Sequence, residues 1–281
     1  MKQTKRVSAR ERKSRWGFGF RLFLGICFIS PLLLALVFSF VPDEELYGLP
    51  TVEKILETLT FDNYRWAFAN IPILRYVTNS LVMCIVVIGS QLLLASLAAY
   101  AFSFFNFKGK DFLFNIILVA MMIPGQVVII ANFLTVRGWG LVNTYLGLCL
   151  PSLIGGKAIF MMRQSFLTLP RELKEATMID GCGEMGFLFR FAIPLSLPSL
   201  ASLAMMLFID IFNAYMWPLL VSRDSTMYTV QVGMATLVGG ETPTYGRTLA
   251  GAVLSLIVPV GMFLIGQDYL IKGMTKGAVK G

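Results

Sequence analysis

Six stretches of this chain are long and apolar enough to be read as membrane-crossing helices, near residues 18–41, 76–105, 112–133, 145–166, 193–221 and 248–271. The first apolar run, residues 22–41, spans about 30 Å as a helix, the thickness of a bilayer core. Only 14% of residues are charged and 56% are hydrophobic. A soluble protein of this length carries nearer a quarter charged residues to cover its surface. The pattern predicts an all-α polytopic membrane protein with six transmembrane helices. Pro31, Pro124, Pro151, Pro218 and Pro259 fall inside these stretches. Membrane helices tolerate proline where neighbours satisfy the freed carbonyl.

The basic residues give an orientation. The net charge is +8, and eight of the 24 Lys and Arg precede Leu22. With both termini inside, seventeen Lys and Arg lie on inner segments and six on outer ones, with Lys157 inside the fourth span. That bias predicts cytoplasmic termini. It divides the chain into a basic cytoplasmic tail (1–17), a transmembrane domain (18–272) and a cytoplasmic C-terminal tail (273–281). A basic tail directly before an apolar run reads as a flank near anionic lipid, not a nucleic-acid surface. The run lacks an A-x-A cleavage pattern and reads as a retained first helix. The first outer segment, residues 42–75, offers Tyr64 and Trp66 for an interfacial helix or a partner contact. The last, residues 222–247, is long for a connector and reads as a functional loop.

Catalytic chemistry finds little support. The chain has no His and four Cys, none at metal-ligand spacing, and no disulfide framework is expected. Gly155-Gly156-Lys157-Ala158 lacks the leading glycine and the final Ser/Thr of a phosphate-binding loop. No G-x-S-x-G or H-E-x-x-H occurs.

Within the spans, Lys157 and Asp210 stand out, because an unpaired charge in lipid costs at least about 2.5 kcal/mol. On a continuous helix Asp210, Asn213 and Trp217 share one face. With Tyr215 they form either the lining of a polar route or an interhelical hydrogen-bonding set with Trp217 as an interface anchor. Lys157 is expected to snorkel inward.

The inner segment from residue 168 to 192 is charged and glycine-punctuated. Thr168 is expected to cap a helix with Pro170 in its first turn, and Glu172 to complement the helix dipole. Leu173, Ala176 and Thr177 form a narrow apolar face. Gly181 should end the helix, and Gly183 and Gly186 keep the turn tight. A short helix, a glycine elbow and a second helix at the membrane face suit docking on a soluble partner, or an ordinary amphipathic loop.

Glu175-Ala176-Thr177, Gly181 and Pro194 resemble the EAA loop of ABC importer permeases, E-A-A, three residues, G, nine residues, I-x-L-P. Thr177, Phe191 and Ile193 depart mildly from that pattern. Arg163-Gln164, Leu169 to Leu173 and Asp180 also fit. Asn213 to Leu220 resembles the W-N-x-[FY]-x-W-P-L segment of carbohydrate-type permeases, with Phe212 at the first Trp. The last nine residues are similar to the maltose-type tail.

The resemblance implies a non-enzymatic subunit of a type I importer in a bacterial or archaeal cell membrane, forming half of a sugar pathway. It implies a second permease chain, two ATPase subunits that bind ATP and Mg, and an external solute-binding protein. This chain would need no cofactor of its own. Glu175, Ala176, Thr177, Asp180, Gly181 and Gly183 would form the ATPase-coupling contact. Asp210, Asn213, Tyr215 and Trp217 are pathway candidates. The outer loop 222–246 would reach the binding protein, and residues 276–281 would approach the ATPases. Polyol or glycerol phosphate substrates remain alternatives. So does an ATP-independent carrier with Asp210 and Lys157 as its coupling pair, against which the lack of an inverted repeat counts.

Overall fold

A computed structural model describes residues 2–48, 51–238 and 244–275. Sixteen α-helices and no strand occur among these residues. In order they are α1 (Lys2–Phe38), α2 (Asp43–Leu46), α3 (Val52–Glu57), α4 (Asp62–Asn70), α5 (Ile73–Phe104), α6 (Lys110–Met121), α7 (Gly125–Gly138) and α8 (Tyr145–Cys149). There follow α9 (Gly156–Phe166), α10 (Arg171–Ile179), α11 (Glu184–Phe187), α12 (Ile193–Leu195), α13 (Leu197–Phe212), α14 (Met216–Val221), α15 (Val230–Val238) and α16 (Tyr245–Thr275).

Three segments cross a bilayer by length and apolarity alone: Phe18–Phe38, Ile73–Phe104 and Tyr245–Asp268. The other three expected spans are bent pairs, so the count of six holds if each pair is one span. The expected span at 112–133 is α6 and α7, bent by 95°. Pro124 stands extended before α7 (φ −61°, ψ 132°), because it has no N–H to continue the ladder of α6. The pair Tyr145–Ser152 and Gly156–Phe166 bends by 50°, with Gly155 extended at the break (φ −140°, ψ 129°). The pair Glu184–Leu195 and Leu197–Phe212 bends by 75° at Ser196. A π-helical turn at Leu188–Ala192 precedes Pro194 there, the kind of local widening that accompanies helix irregularities. The fifth span, expected to reach residue 221, ends as α13 at Phe212.

The helices gather into two compact units. One comprises the described chain up to Ile71 with Leu237–Leu254, and the other Pro72–Thr236 with the chain from Ser255 onward. In the first unit, buried Asn63 of α4 donates to the carbonyls of Ser39 (3.0 Å) and Val41 (2.7 Å). These carbonyls lie in the turn just after α1, so the side chain satisfies backbone acceptors where the chain leaves the helix. Tyr64 pairs with Ser39 at 2.6 Å. Asp43 accepts the backbone N–H of Gly246 (2.6 Å) and the guanidinium of Arg247 (3.4 Å), which lies over the Trp66 ring. The segment 42–75 thus forms three short helices.

In the second unit α5 is the spine, packed against α8, α9 and α13. Its buried positions Ser80, Cys84, Val87, Gln91, Ala95 and Ala99 recur every three or four residues. Small side chains such as Ala95, Ser96 and Ala99 let neighbouring backbones approach closely. At one end of α5, fully buried Asn79 donates to the carbonyls of Thr226 and Tyr228 and accepts from the Tyr145 hydroxyl. Much of the expected outer loop is therefore folded: α15 lies within it, and Val230 and Val232 are buried. Positions 239–243 of that loop, and the tail residues 276–281, lie outside the described residues.

Candidate functional sites: an intramembrane cavity and a charged elbow

Two sites emerge in the second unit. The first is a cavity of about 450 Å³. Met83, Leu207 and Ile211 give it apolar wall, and Gln91, Lys157 and Asp210 give it polar groups. The ammonium of Lys157 meets Asp210 at 2.7 Å, which replaces the expected snorkelling. An ion pair offsets most of the desolvation that would drive the lysine toward water. Gln91 donates to the carbonyl of Ser152 at 2.7 Å, in the 3-10 turn that follows α8. A Cβ at Gly155 would lie 2.7 Å from the Gln91 side-chain oxygen, so a larger residue there would push the Gln91 amide aside.

The expected stripe of Asp210, Asn213 and Trp217 does not form. Helix α13 stops at Phe212, Asn213 caps it, and Tyr215 opens the separate helix α14. Asn213 instead accepts from Gln231 at 3.2 Å, and the Trp217 indole donates to the Leu148 carbonyl at 3.0 Å. Pro218 was the readable signal: proline is tolerated in a first turn, so it marks a helix beginning just before it. Tyr215 is 40% exposed. Of the four pathway candidates, only Asp210 lines the cavity.

The second site is the stretch around α10. Pro170, not Thr168, caps the helix, and the Thr168 hydroxyl turns back to Ser165. Pro170 stands extended (φ −61°, ψ 136°), which sets the entry to α10. At the other end Asp180 caps the helix and Gly181 takes φ +81°. The N–H of Gly181 bonds to Met178 (3.0 Å) and that of Cys182 to Thr177 (2.9 Å). This is a Schellman motif, which closes the last carbonyls at a position where only glycine avoids strain. Gly183 then caps α11.

Thr177 is buried, while Glu175, Ala176 and Asp180 are exposed. Glu175, Arg171, Lys174, Met178, Ile179 and Phe104 line a groove of about 420 Å³. Ile179 is 85% exposed. The apolar face expected from Leu173, Ala176 and Thr177 is thus shared: Thr177 packs inward and Ala176 faces out.

Sequence reasoning missed the partners that hold this elbow. Lys174 bonds Glu184 at 2.8 Å, and the Tyr100 hydroxyl donates to the same carboxylate oxygen. Glu184 opens α11 just after Gly183, and a carboxylate in a first turn is a readable signal. Its link to Tyr100, 84 positions earlier, is not. Nearby, Arg163 donates to the Phe102 carbonyl and lies 3.9 Å over the Phe114 ring.

Residues 91–276 match the family described as binding-protein-dependent transport system inner membrane component, and the chain belongs to that family. It is 36% identical, over 94% of its length and 95% of the relative's, to the arabinooligosaccharides transport system permease protein AraQ of Halalkalibacterium halodurans. The AraQ protein of Bacillus subtilis is 31% identical over 93% of this chain and 94% of its own. The sn-glycerol-3-phosphate transport system permease protein UgpE of Brucella melitensis is 30% identical over 91% and 94%. The fold is that of a chain in a bacterial ABC transporter involved in import of the acidic polysaccharide alginate. The TM-score is 0.76 at 22% identity, covering 90% of this chain and 96% of that one. A second structure of an alginate transporter, with a periplasmic protein bound, matches with a TM-score of 0.58 at 15% identity over 88% and 96%.

Proposed function

We propose that this chain is the permease subunit of an ATP-driven importer, forming half of a translocation pathway for a sugar delivered by an external binding protein. The observation that carries this is the α10 elbow, on a chain whose family is of binding-protein-dependent transport components. It is a preformed helix with an exposed Glu175 and a groove beside it, set between two broken spans. The bias of Lys and Arg supports a cytoplasmic elbow and cytoplasmic termini. An ATPase subunit would dock there through Glu175, Ala176, Asp180 and Gly181, and would supply the nucleotide and Mg. The sugar class rests on AraQ, and UgpE keeps glycerol phosphate as the alternative.

The cavity is the proposed route. The side chains of Lys157 and Asp210 are 42% and 57% exposed in the isolated chain. A pair so open would not face lipid, where charge is costly. It faces an aqueous route or the second permease chain, and its paired charges suit hydroxyl-rich solutes. Copurification tests the motor: an ATPase subunit should accompany the wild type, and Glu175→Arg or Gly181→Pro should release it. Gly181→Pro removes the φ +81° that closes the elbow, since proline is fixed near −65°. The Lys157–Asp210 pair also fits an ion-coupled carrier, and uptake that persists without any ATPase would favour that reading.

A further inference from the structure

We infer that Lys174 and Glu184 are positioning residues: a clasp, closed on Tyr100, that makes α10 move as one piece with the end of α5 and the start of α11. The inference rests on α10 being the ATPase-docking helix. Three elements meet at one carboxylate oxygen of Glu184, which accepts the Lys174 ammonium (2.8 Å) from α10 and the Tyr100 hydroxyl from α5. Lys174 is flanked by exposed Glu175 and Ala176, yet its own side chain is only 15% exposed. Its ammonium lies 5.4, 5.6 and 4.8 Å from the ring centroids of Tyr100, Phe104 and Phe105. Charge-assisted bonds are stronger than neutral ones, and rings attract a desolvated cation. Beneath them, fully buried Phe187 of α11 packs on Tyr100 and Phe104.

The geometry assigns two tasks to one helix. Glu175 and Ile179 are exposed, where a partner binds, while Lys174, which borders the same groove, turns its ammonium away toward Tyr100, Phe104 and Glu184. The Gly181 elbow reverses the chain so that residues ten apart close on each other. Without the clasp, α10 would still be shaped and still dock. Its displacement would be absorbed at the elbow and not delivered to α5.

The test uses the full transporter with its ATPase subunits in lipid nanodiscs and MgATP with vanadate as the probe. The chain carries Cys27→Ser, Cys182→Ser and Ala214→Cys, which places a single accessible thiol on the cavity wall. In the otherwise unaltered chain, MgATP with vanadate should change the rate at which a membrane-impermeant maleimide labels that thiol. Glu184→Gln should reduce this change about tenfold while ATPase subunits stay bound and trap nucleotide as before, and Lys174→Met should reduce it by a similar factor. Lys174→Arg should restore most of it, as should the exchange Lys174→Glu with Glu184→Lys. A merely structural role would lower ATPase binding and nucleotide trapping together with the response. A full response in both single variants overturns the clasp. Release of the ATPase from Lys174→Met overturns it too, by making Lys174 a docking residue. If the unaltered chain binds no ATPase, or shows no response, the docking reading itself fails and the clasp falls with it.

Discussion

Among the described residues of the second unit, two lysine–carboxylate pairs of nearly equal length, Lys157–Asp210 at 2.7 Å and Lys174–Glu184 at 2.8 Å, stand in different settings. The first stands open, with both side chains about half exposed and no further bond to either charge described. The second encloses its lysine, only 15% exposed beside three rings, while Glu184 stays 43% exposed and shares its carboxylate oxygen with a phenol. The contrast teaches that a short ion pair does not define a role. An open pair in an apolar setting keeps two charges available to a polar solute. A pair whose lysine is enclosed and whose carboxylate is shared commits its charges to holding elements together.

The comparison breaks most visibly at Asp210. Asp210→Ala leaves the Lys157 cation without its partner beside the apolar wall of the cavity and should cost about 2–3 kcal/mol. That appears as a clear fall in melting temperature in lipid. The double variant Lys157→Met with Asp210→Leu should recover stability but not transport, since removing both charges is nearly neutral for folding. If Asp210→Ala melts like the wild type, the pair lies in bulk water and the contrast collapses. Glu184→Ala comes next. It leaves the Tyr100 hydroxyl and Lys174 without their acceptor, for about 1–3 kcal/mol. Lys174 keeps its rings, so the loss should fall below that at Asp210.

Two smaller effects sharpen the comparison from the solvent side. Asp62 and Arg65 form a pair whose side chains are 71% and 81% exposed. Asp62→Asn should shift stability by less than about 0.5 kcal/mol, and the shift should vanish in high salt. Asp224 is held without any lysine. The hydroxyl and backbone N–H of Thr226, and then Asn143, keep its carboxyl below the usual range. A carboxyl lowered by folding stabilises above its unfolded value, about 3.9, and that contribution is lost as pH falls through the folded value. The wild type should therefore lose melting temperature more steeply below roughly pH 4 than Asp224→Asn. Equal slopes would show that the loop bonds do not persist in solution.

Much of the fold was legible because hydropathy marks each span and Lys and Arg mark its ends. The elbow was legible because Gly181 answers a local need, a residue at positive φ after a short helix. What stayed hidden was direction. Apolarity alone does not show that the segment through Pro124 turns by 95°, since each arm is as hydrophobic as the other. The helix face joining Asp210 to Trp217 failed for the same reason, because the periodicity assumed a helix that stops at Phe212. The long-range partners, Lys157 with Asp210 and Tyr100 with Glu184, are 53 and 84 positions apart, and only packing joins them.

Helix α5 runs 32 residues without a proline, a rod of about 48 Å. It carries Asn79 at its outer knot, Gln91 on the cavity wall and Tyr100 at the clasp. Sharp kinks form at a proline, a Gly/Ser pair, a π-bulge or an inserted group; this rod has no proline, and its Gly89-Ser90 pair stays within the continuous helix. Tilting it by about ten degrees about one end sweeps the other through roughly 8 Å. A small push at the elbow would thus reach the far end of α5 as a larger stroke, with the ladder of one unbroken helix as the lever arm.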